Sequence, residues 1–281
     1  MRSMLLGLLA ETSLHPGIGQ VVGAVDLPVA REKTTDYPVI FGSSLKGALR
    51  DRAEQVWGTE DERVKRIFGE QESAGAIAVT DARLLLLPVR SLSGHFKWLT
   101  CPYLLERYSR DLKLAGIEAG DLPLPQPAKG QAVMNRDHGE NQTQLFLEEL
   151  SFDVILDNLT PIVESISSLI RYASVRERLV GGIVIVSDEE FAYFARYSLP
   201  VNARNVLEND TKTSMNLWHE ETIPPDTLFY ALLFERSGKD GLLEELEKIF
   251  RERPYLQVGG NETIGQGWCS IGLRVSRGDA S

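Results

Sequence analysis

The sequence predicts an α+β fold with one small sheet, several helices and long insertions. Apolar runs typical of buried strands alternate with segments of helical period, but they lack the regular strand–helix–strand rhythm of a parallel α/β sheet. Stretches rich in Gly, Pro and polar residues separate these elements and are too long for ordinary turns. With 281 residues, 43% of them hydrophobic, the chain can bury a large core, as one large domain or two small ones.

The charge balance is acidic and limits the classes of partner. Thirty Lys and Arg residues against forty Asp and Glu residues give a formal net charge of −10. A protein that holds nucleic acid through a broad basic face has the opposite balance, so this one argues against a stand-alone, non-specific nucleic-acid binder. A local cationic strip, or partner subunits, could still supply the attraction.

Cysteine usage and hydropathy indicate the compartment. Cys101 and Cys269 lie far apart, and the four soft ligands of a structural zinc site cannot be assembled from them. So few cysteines are typical of a reducing cytoplasm. The apolar run 4–10 ends at Glu11 without a cleavage site, which favours a buried strand over a signal peptide. No run reaches the roughly 20 apolar residues of a bilayer span, so we expect a cytoplasmic protein without a membrane partner.

The first elements are a strand, a long loop and a helix. Residues 4–13, an apolar run closed by Glu11, Thr12 and Ser13, predict a buried strand. The loop 15–40 contains several Gly and Pro residues but also valines, and is too apolar for a disordered linker, so we expect it to pack. The clearest helix is 42–57, with Ser43 or Ser44 as its N-cap and an apolar face of helical period.

The rest of the chain predicts shorter elements and no internal repeat. The segment 115–143 is rich in Gly, Pro, Gln and Asn and is predicted to be a surface insertion. A hairpin is expected with arms 202–208 and 214–223. The remaining predictions are strands 81–90, 95–99, 145–156, 182–187, 227–234, 255–258 and 268–275, and helices 101–114, 160–178, 188–198 and 241–250.

Two segments have the composition of an anion site. At the start of helix 42–57, free backbone amides and the helix dipole can hold a phosphate, and Lys46 and Arg50, four residues apart, share one face beside it. An ordinary capped helix with a solvated basic face explains the same residues. The glycine-rich loop 259–267 could form an anion-binding nest or a simple hairpin loop. It lacks the Gly-Lys-Ser/Thr ending of a nucleotide P-loop.

Two further segments contain side chains suited to catalysis. In the long loop, the carboxylate of Asp26 could coordinate a divalent cation, and His15 could move a proton near neutral pH. The alternative for Asp26 is a solvated turn residue. The predicted hairpin contains Trp218, His219, Glu220 and Glu221, for which a plain sheet extension is the alternative.

Six segments in this order resemble a known family. They are Leu14-His-Pro-Gly17, Val25-Asp-Leu-Pro28, Arg31-Glu-Lys33, Phe41-Gly-Ser-Ser-Leu-Lys-Gly-Ala-Leu-Arg50, Pro224-Pro-Asp-Thr-Leu-Phe-Tyr230 and the glycine loop Gly259–Gly267. The set resembles the RAMP superfamily of CRISPR proteins, and within it the family of type III-B backbone subunits, the fourth subunits of the Cmr module. The match covers both ends of the chain, and the middle agrees only in layout.

The resemblance implies a fold and an assembly. It implies a single RAMP domain over 1–281, with an RRM-like (ferredoxin-like) palm, a finger-type insertion at 115–143 and a β-hairpin thumb at 202–223. Copies of such a subunit stack with other Cmr subunits along a CRISPR guide RNA into a helical filament. Each copy then needs only a narrow strip of donors, which reconciles RNA binding with the acidic charge.

The resemblance also implies residues that bind RNA. Guide-RNA phosphates would be held at the start of helix 42–57 and supported by the glycine loop. The residues are Ser43, Ser44, Lys46, Arg50, Gly265 and Gly267.

The activity implied by the resemblance is cleavage of target RNA at regular intervals. Asp26 would be required, with a divalent cation, Mg²⁺ or Mn²⁺, held near it. A splayed nucleotide would let its ribose 2′-hydroxyl attack the adjacent phosphate, leaving a 2′,3′-cyclic phosphate and a 5′-hydroxyl. His15 would shuttle a proton or simply anchor the loop, and Glu220 and Glu221 could complete the site. The alternatives are a non-catalytic guide-RNA-binding scaffold, a nuclease that processes the CRISPR precursor, and an unrelated phosphate-binding enzyme.

Overall fold

The structure, a computed structural model, describes residues 2–118, 120, 122–136, 143–208, 210–211, 213–236 and 241–276. The strands are β1 (Ser3–Ala10), β2 (Val39–Ile40), β3 (Gly69–Glu70), β4 (Ser73–Ala74), β5 (Ile77–Val79), β6 (Ala82–Arg90), β7 (Phe96–Thr100), β8 (Gln131–Asn135), β9 (Gln144–Leu147), β10 (Leu150–Asp157), β11 (Ile183–Ile185), β12 (Val201–Leu207), β13 (Ser214–Glu221), β14 (Leu228–Glu235), β15 (Tyr255–Gln257) and β16 (Trp268–Val275). The helices are α1 (Gly42–Trp57), α2 (Glu62–Phe68), α3 (Pro102–Leu114), α4 (Thr160–Ser167), α5 (Ala173–Gly182), α6 (Asp188–Tyr197) and α7 (Leu242–Glu252).

A twelve-stranded mixed sheet organises the molecule. Its main path runs β15-β16-β1-β14-β6-β7-β11-β8-β10-β9, with β2 on β6 and β5 on β14. Most neighbours are antiparallel, but β7 with β11 and β8 with β10 are parallel. The predicted α+β class is confirmed, whereas the expected small sheet is wrong. Short strands such as β2 and β5 carry too little periodic signal to be seen in the sequence.

The centre of the sheet is buried on both faces, whereas β9 and β10 at its end alternate buried and exposed residues. Along β1, Leu6 and Leu8 belong to one apolar cluster and Leu5 and Leu9 to another, as the alternation of side chains in a strand requires. Helices α1, α2, α6 and α7 pack on the first face, and α4 and α5 on the second. This double burial explains why β1 is apolar along its whole length.

Two facing glycines let a helical connection approach the sheet. Gly7 of β1 pairs with Gly272 of β16. An added Cβ would lie 2.4 Å from the carbonyl oxygen of Leu169 at Gly7 and 2.0 Å from it at Gly272. Leu169 follows α4, so the predicted helix 160–178 is interrupted where its chain rests on the sheet, and α4 and α5 replace it.

Two other predicted segments need correction. The predicted strand 145–156 is two strands, joined through Glu148 at a φ of 48°. The segment 115–143 is not all surface: β8 lies inside the sheet, between β11 and β10, because its three central residues are apolar and buried. Residues 119, 121 and 137–142 of that segment lie outside the described residues. None of the described helices has the length and apolarity needed to cross a bilayer.

The start of α1 is built differently from the prediction. The N-cap residue is Phe41, which makes no side-chain capping bond, so Ser43 and Ser44 lie inside the first turn. The N–H of Gly42 instead donates to Oδ1 of Asp81, at 2.7 Å. A carboxylate 39 residues away in the chain thus supplies the charge that the helix dipole favours at this end.

Candidate functional site

The long loop 14–40 packs against the hairpin β12–β13. The backbone N–H groups of Asp26 and Leu27 both donate to the carbonyl oxygen of His219, at 3.1 and 3.0 Å. The N–H of Glu221 donates to the carbonyl oxygen of Leu27 at 3.0 Å. The loop therefore runs beside β13 like a short added strand. The expectation that the loop packs is confirmed for residues 25–31, and this packing determines the position of Asp26. It is wrong for residues 17–24, where Val21 and Val22 are exposed.

Asp26 and His219 form the centre of the site. Oδ2 of Asp26 accepts the backbone N–H of His219 at 2.7 Å, and Nδ1 of the same histidine lies 3.5 Å from that oxygen. The side chains are 34% and 47% exposed, respectively. The carboxylate is held in one orientation while a partner can still reach it.

His15 is buried between the loop, the hairpin and the glycine loop. Its Nδ1 lies 2.8 Å from the carbonyl oxygen of Glu221, and its own carbonyl oxygen accepts the N–H of Gly260 at 2.8 Å. A Cβ on Gly17 would lie 2.6 Å from Nε2 of His15, and one on Gly259 would lie 2.8 Å from its carbonyl oxygen. This geometry suits the anchoring alternative for His15, since the ring is enclosed by protein.

The carboxylates of Glu220 and Glu221 point to other partners. Glu220 is buried and accepts from Nη2 of Arg204 at 3.0 Å and from Nδ2 of Asn261 at 2.8 Å. Glu221 is also buried.

In Glu221, one carboxylate oxygen faces the guanidinium of Arg31 at 2.7 Å and the other accepts the N–H of Val29 at 3.1 Å. Glu220 therefore ties the hairpin to the glycine loop, and Glu221 ties it to the long loop. The structure brings their backbones, but not their carboxylates, to Asp26.

The side chains around Asp26 do not by themselves form a cation site. Across the part of the chain that the structure describes, there is no group of three or more His, Cys, Asp and Glu residues able to hold a metal ion. One carboxylate and one imidazole fall short of the six or more oxygen ligands that Mg²⁺ or Mn²⁺ prefers. Any cation at Asp26 would take most of its ligands from outside this chain.

The residues predicted to bind RNA around α1 do not share one surface. Ser43 and Lys46 line a cavity of about 530 Å³ together with Arg236, while Ser44 lines a separate groove of about 1120 Å³. Arg50 is engaged by protein, with Nε 2.7 Å from Glu54 and Nη1 3.1 Å from the carbonyl oxygen of Gly69.

The glycine loop closes the larger groove. Gly265 and Gly267 have φ of 82° and 95°, and the N–H of Gly267 donates to the carbonyl oxygen of Ser13 at 3.0 Å. Gly259 and Gly260 line the groove opposite α1. The charged side chains that line this groove are Glu11, Asp51, Arg52, Glu252, Arg253 and Glu262. Acidic side chains outnumber basic ones, so the groove has an excess of negative charge.

Sequence reasoning singled out the hairpin around His219 but gave this residue no role. Its partner Asp26 is 193 positions away, and no local pattern encodes a contact over that distance. Only the register of β13 against the loop, which depends on the packed sheet, reveals the pair.

Comparison with known proteins identifies the family. The model of the RAMP superfamily matches residues 8–270. The chain belongs to the RAMP superfamily. Its RAMP fold accounts for the large mixed sheet with helices, and the palm predicted from the sequence is confirmed.

Several RAMP relatives match over nearly the whole chain. The "CRISPR system Cmr endoribonuclease Cmr4" of Pyrococcus furiosus is 36% identical over 98% of this chain and 96% of its own length. The "CRISPR system CMR subunit Cmr4" of Saccharolobus solfataricus is 26% identical over 92% of each chain. The crystal structure of oligomeric Cmr4 from P. furiosus superposes with a TM-score of 0.78 at 31% identity, covering 98% of both chains. A cryo-EM structure of the type III-B Cmr-β complex bound to cognate target RNA shares the fold, with a TM-score of 0.75 at 21% identity over 96% of both chains.

Proposed function

We propose that this chain is the backbone subunit of a CRISPR RNA-guided type III-B Cmr complex and cleaves complementary target RNA within it. The observation that carries the proposal is the carboxylate of Asp26, held by β13 and open to a partner at the base of the hairpin. The 36% identity with a Cmr endoribonuclease over almost the entire chain supports the activity.

In the reaction, the ribose 2′-hydroxyl of the target attacks the adjacent phosphorus. The O2′–P bond forms, the P–O5′ bond breaks, and the products carry a 2′,3′-cyclic phosphate and a 5′-hydroxyl. The proton of the 2′-hydroxyl passes to solvent, and the departing O5′ takes up a proton from solvent. Such a reaction requires the attacking oxygen, the phosphorus and the leaving oxygen to be in line, which stacked RNA does not provide.

The hairpin and Asp26 would supply this geometry together. Met215 and Leu217 of β13 are exposed apolar side chains, suited to insertion between bases, which unstacks a nucleotide at a cost of a few kcal/mol. Oδ2 of Asp26 is occupied by the His219 N–H, whereas Oδ1 accepts no hydrogen bond from any described residue. Oδ1 would accept the 2′-hydroxyl proton in a hydrogen bond and orient the nucleophile.

Guide RNA, the other Cmr subunits and further copies of this chain are the proposed partners. Ser43 and Lys46, which line one cavity at the start of α1, would contact guide-RNA phosphates, and Gly265 and Gly267 would shape the neighbouring loop. Arg50 would act through its bonds to Glu54 and the loop after α2 rather than through RNA. The relative that forms oligomers supports a helical filament of copies along the guide. We place the complex in the cytoplasm, since Cys101 and Cys269 are unpaired and buried.

A non-catalytic scaffold is the second candidate, and one observation favours it. The donor set around Asp26 is too small for a protein-built cation site. A scaffold would bind guide RNA equally well and leave cleavage to another subunit.

The substitution Asp26→Asn separates these two functions. Asn preserves the shape and the oxygen that accepts the His219 N–H, but it removes the charge. We expect cleavage by the assembled complex to fall at least about 10²-fold, the usual size of such a contribution, with target binding unchanged. Asp36→Asn is the matched control, because Asp36 lies in the same loop and is exposed, paired with Arg196 at 2.9 Å.

The assay mixes the assembled complex with labelled complementary RNA and measures binding and cleavage separately. If the complex with Asp26→Asn cleaves RNA at the wild-type rate, the chain is assigned the scaffold function. Removal of divalent cations with EDTA, followed by addition of Mg²⁺ or Mn²⁺, tests the proposed cation. Unchanged cleavage in EDTA would show that no divalent cation takes part in the reaction.

A further inference from the structure

A third cavity lies between the long loop and α3. It has a volume of about 770 Å³ and is bordered by residues 31–34, Val39, Phe41, the beginning of β6 and α3. Its charged side chains are Arg31, Glu32, Lys33, Asp81, Arg83, Arg107, Arg110 and Asp111. Five cations against three carboxylates form a local positive excess on a chain of net charge −10.

The carboxylates of this cavity already have partners. Glu32 accepts from Nη1 of Arg107 at 2.7 and 2.8 Å. Asp111 accepts from Nη1 of Arg83 at 2.6 Å and from the hydroxyl of Tyr230 at 2.6 Å.

The third carboxylate, Asp81, caps α1 through the N–H of Gly42. The acidic groups are therefore satisfied within the protein. Arg31 is paired with Glu221 outside the cavity, so Lys33 and Arg110 are the cations of this lining whose charge is available for an external anion.

Arg107 has an unused edge. The residue is only 7% exposed, and its Nε and Nη2 have no hydrogen-bond partner within the described part of the chain. Its guanidinium carbon lies 5.5 Å from the ring centre of Tyr103. The Nε–Nη2 edge is one that arginine uses to bind two oxygens of a carboxylate or phosphate at once. A buried charged donor without an acceptor is costly, so this edge points to a missing anionic partner.

Two further cations and an aromatic ring stand at the mouth of the cavity. Lys33 is exposed and has no ion-pair partner among residues 2–118 or the other described segments. Arg110 is 61% exposed, with only a distant pair to Glu106 at 3.7 Å. Phe41 presents an exposed ring beside them. Cations next to an aromatic platform are the combination that binds single-stranded nucleic acid, through the backbone and a stacked base.

We propose that this cavity binds the phosphodiester backbone of single-stranded RNA, with Lys33 and Arg110 as the outer contacts and Arg107 as the inner one. The proposal rests on the proposed function, since it assigns an RNA subsite to the same chain. The cavity adjoins the N-terminus of α1 through Phe41 and Asp81, so a strand held by Ser43 and Lys46 has a short route to it. The larger groove near Ser44 has an acidic excess and is less suited to a polyanion.

The main test compares the double variant Lys33→Ala/Arg110→Ala with a matched control, Lys248→Ala/Arg251→Ala. The control removes one lysine and one arginine from exposed positions on α7, where each is paired with a glutamate. The full-length chain is titrated with labelled single-stranded RNA of guide sequence, and the assembled guide-loaded complex is titrated with labelled target RNA. Fluorescence anisotropy is recorded from about 50 to 200 mM salt.

We expect the cavity variant to bind more weakly and with a smaller salt dependence than the control. Each phosphate contact on a single strand contributes about 0.7 to the slope of log K against log salt, so loss of two contacts lowers the slope by about 1.4. Over a fourfold increase in salt, wild-type affinity then falls about sevenfold more than the variant's. A second variant, Arg107→Lys, preserves the charge beside Glu32 but lacks the Nε–Nη2 edge, and it should weaken RNA binding as well.

The outcomes distinguish the source of the RNA. Weaker binding of the isolated chain to guide RNA assigns the cavity to the guide, and weaker binding of target by the complex alone assigns it to the target. Equal binding by the cavity and control variants in both assays overturns the proposal. If the cavity variant loses self-association but still binds RNA, the proposal is also overturned. The anion bound in the cavity would then be a carboxylate of a neighbouring copy. If the wild-type protein itself binds no RNA in either assay, the proposed function is overturned as well. Failure of the proposed function is thus distinguished from failure of the cavity proposal alone, in which the wild type binds RNA.

Discussion

Single polar side chains near the site differ in whether the protein already satisfies them. The carboxylate of Glu220 faces Arg204, and that of Asp111 faces Arg83. Removing one partner of a buried ion pair costs about 3–5 kcal/mol, because the other charge stays buried. Asp26 is different, because a backbone N–H orients it and part of its carboxylate remains accessible. This contrast makes Asp26, and not Glu220, the side chain available for chemistry.

Tyr230 provides a test of the buried network around Asp111. Its hydroxyl donates to Oδ2 of Asp111 at 2.6 Å, and burial, together with the negative charge of Asp111, raises the pKa of Tyr230 above its usual 10.0. The raised pKa means that the folded state retains this proton more firmly than the unfolded state. The stability from this group is therefore complete below pH 10 and is lost as the pH rises above it.

We expect Tyr230→Phe to lower the free energy of unfolding at pH 7 by about 1–3 kcal/mol, since Asp111 loses a buried donor. Above pH 10 the wild type should lose stability with pH more steeply than the variant. Urea unfolding at pH 7, 9, 10 and 11 measures both effects. The exposed Tyr197→Phe serves as the control, and identical pH profiles for Tyr230→Phe and wild type would refute the argument.

At the level of elements, α1, the glycine loop and the hairpin are each held by contacts distant in sequence. Asp81 caps α1, His15 ties the glycine loop to the hairpin, and Asn261 of the glycine loop donates to Glu220 of β13. Each element could form from its local pattern, but its position depends on these ties. A change in the glycine loop should therefore be transmitted to the site.

Substitutions at Gly265 and Gly267 distinguish the cost of backbone strain from the cost of a steric clash. Both have positive φ, but a Cβ on Gly265 would meet open space, whereas one on Gly267 would lie 2.5 Å from the carbonyl oxygen of Val258. We expect Gly265→Ala to cost about 1–2 kcal/mol of stability from conformation alone. Gly267→Ala should cost more and also weaken RNA binding, because the loop must move. Thermal unfolding and RNA titration of both variants check this, and equal losses for the two would contradict it.

At the scale of the whole molecule, the twelve-stranded sheet has an apolar cluster on each face, and the α4–α5 connection touches the backbone of the sheet at a narrow contact. Most of the sheet is covered by side chains, but Gly7 and Gly272 allow the backbone of Leu169 to rest directly on β1 and β16. Interiors are packed to crystal-like density, so an added methyl group there has no free space. The α4–α5 connection can therefore approach the sheet this closely only because residues 7 and 272 have no side chain.

We expect Gly272→Ala to destabilise the protein by about 1–3 kcal/mol or more, because the α4–α5 connection must be displaced from the sheet. Gly47→Ala is the opposite control: a Cβ at this exposed position of α1 meets nothing within 4 Å, so it should stabilise by about 0.5–1 kcal/mol. Denaturant unfolding of both variants measures the difference in sign. A neutral Gly272→Ala would show that Leu169 does not rest on the sheet.

Local signals predicted much of this protein. Helical period gave the bounds of α1, and alternating and turn residues located the arms of the hairpin β12–β13, because such patterns arise from neighbours within a few positions. The ordered motifs from Leu14 to Gly267 led to the RAMP family, which sequence and structural relatives then bore out. The α+β class followed from the order of elements alone.

Tertiary structure alone decided which groups meet. The capping of α1 by Asp81, the pairing of Asp26 with His219, the burial of β8 inside the sheet and the contact of Leu169 with the two glycines all join residues that are distant in sequence. Periodicity reports which face of an element is apolar, but it contains no information on the element that covers that face. Register and strand order arise when all layers pack together, and they determine which polar groups are satisfied and which remain available for RNA.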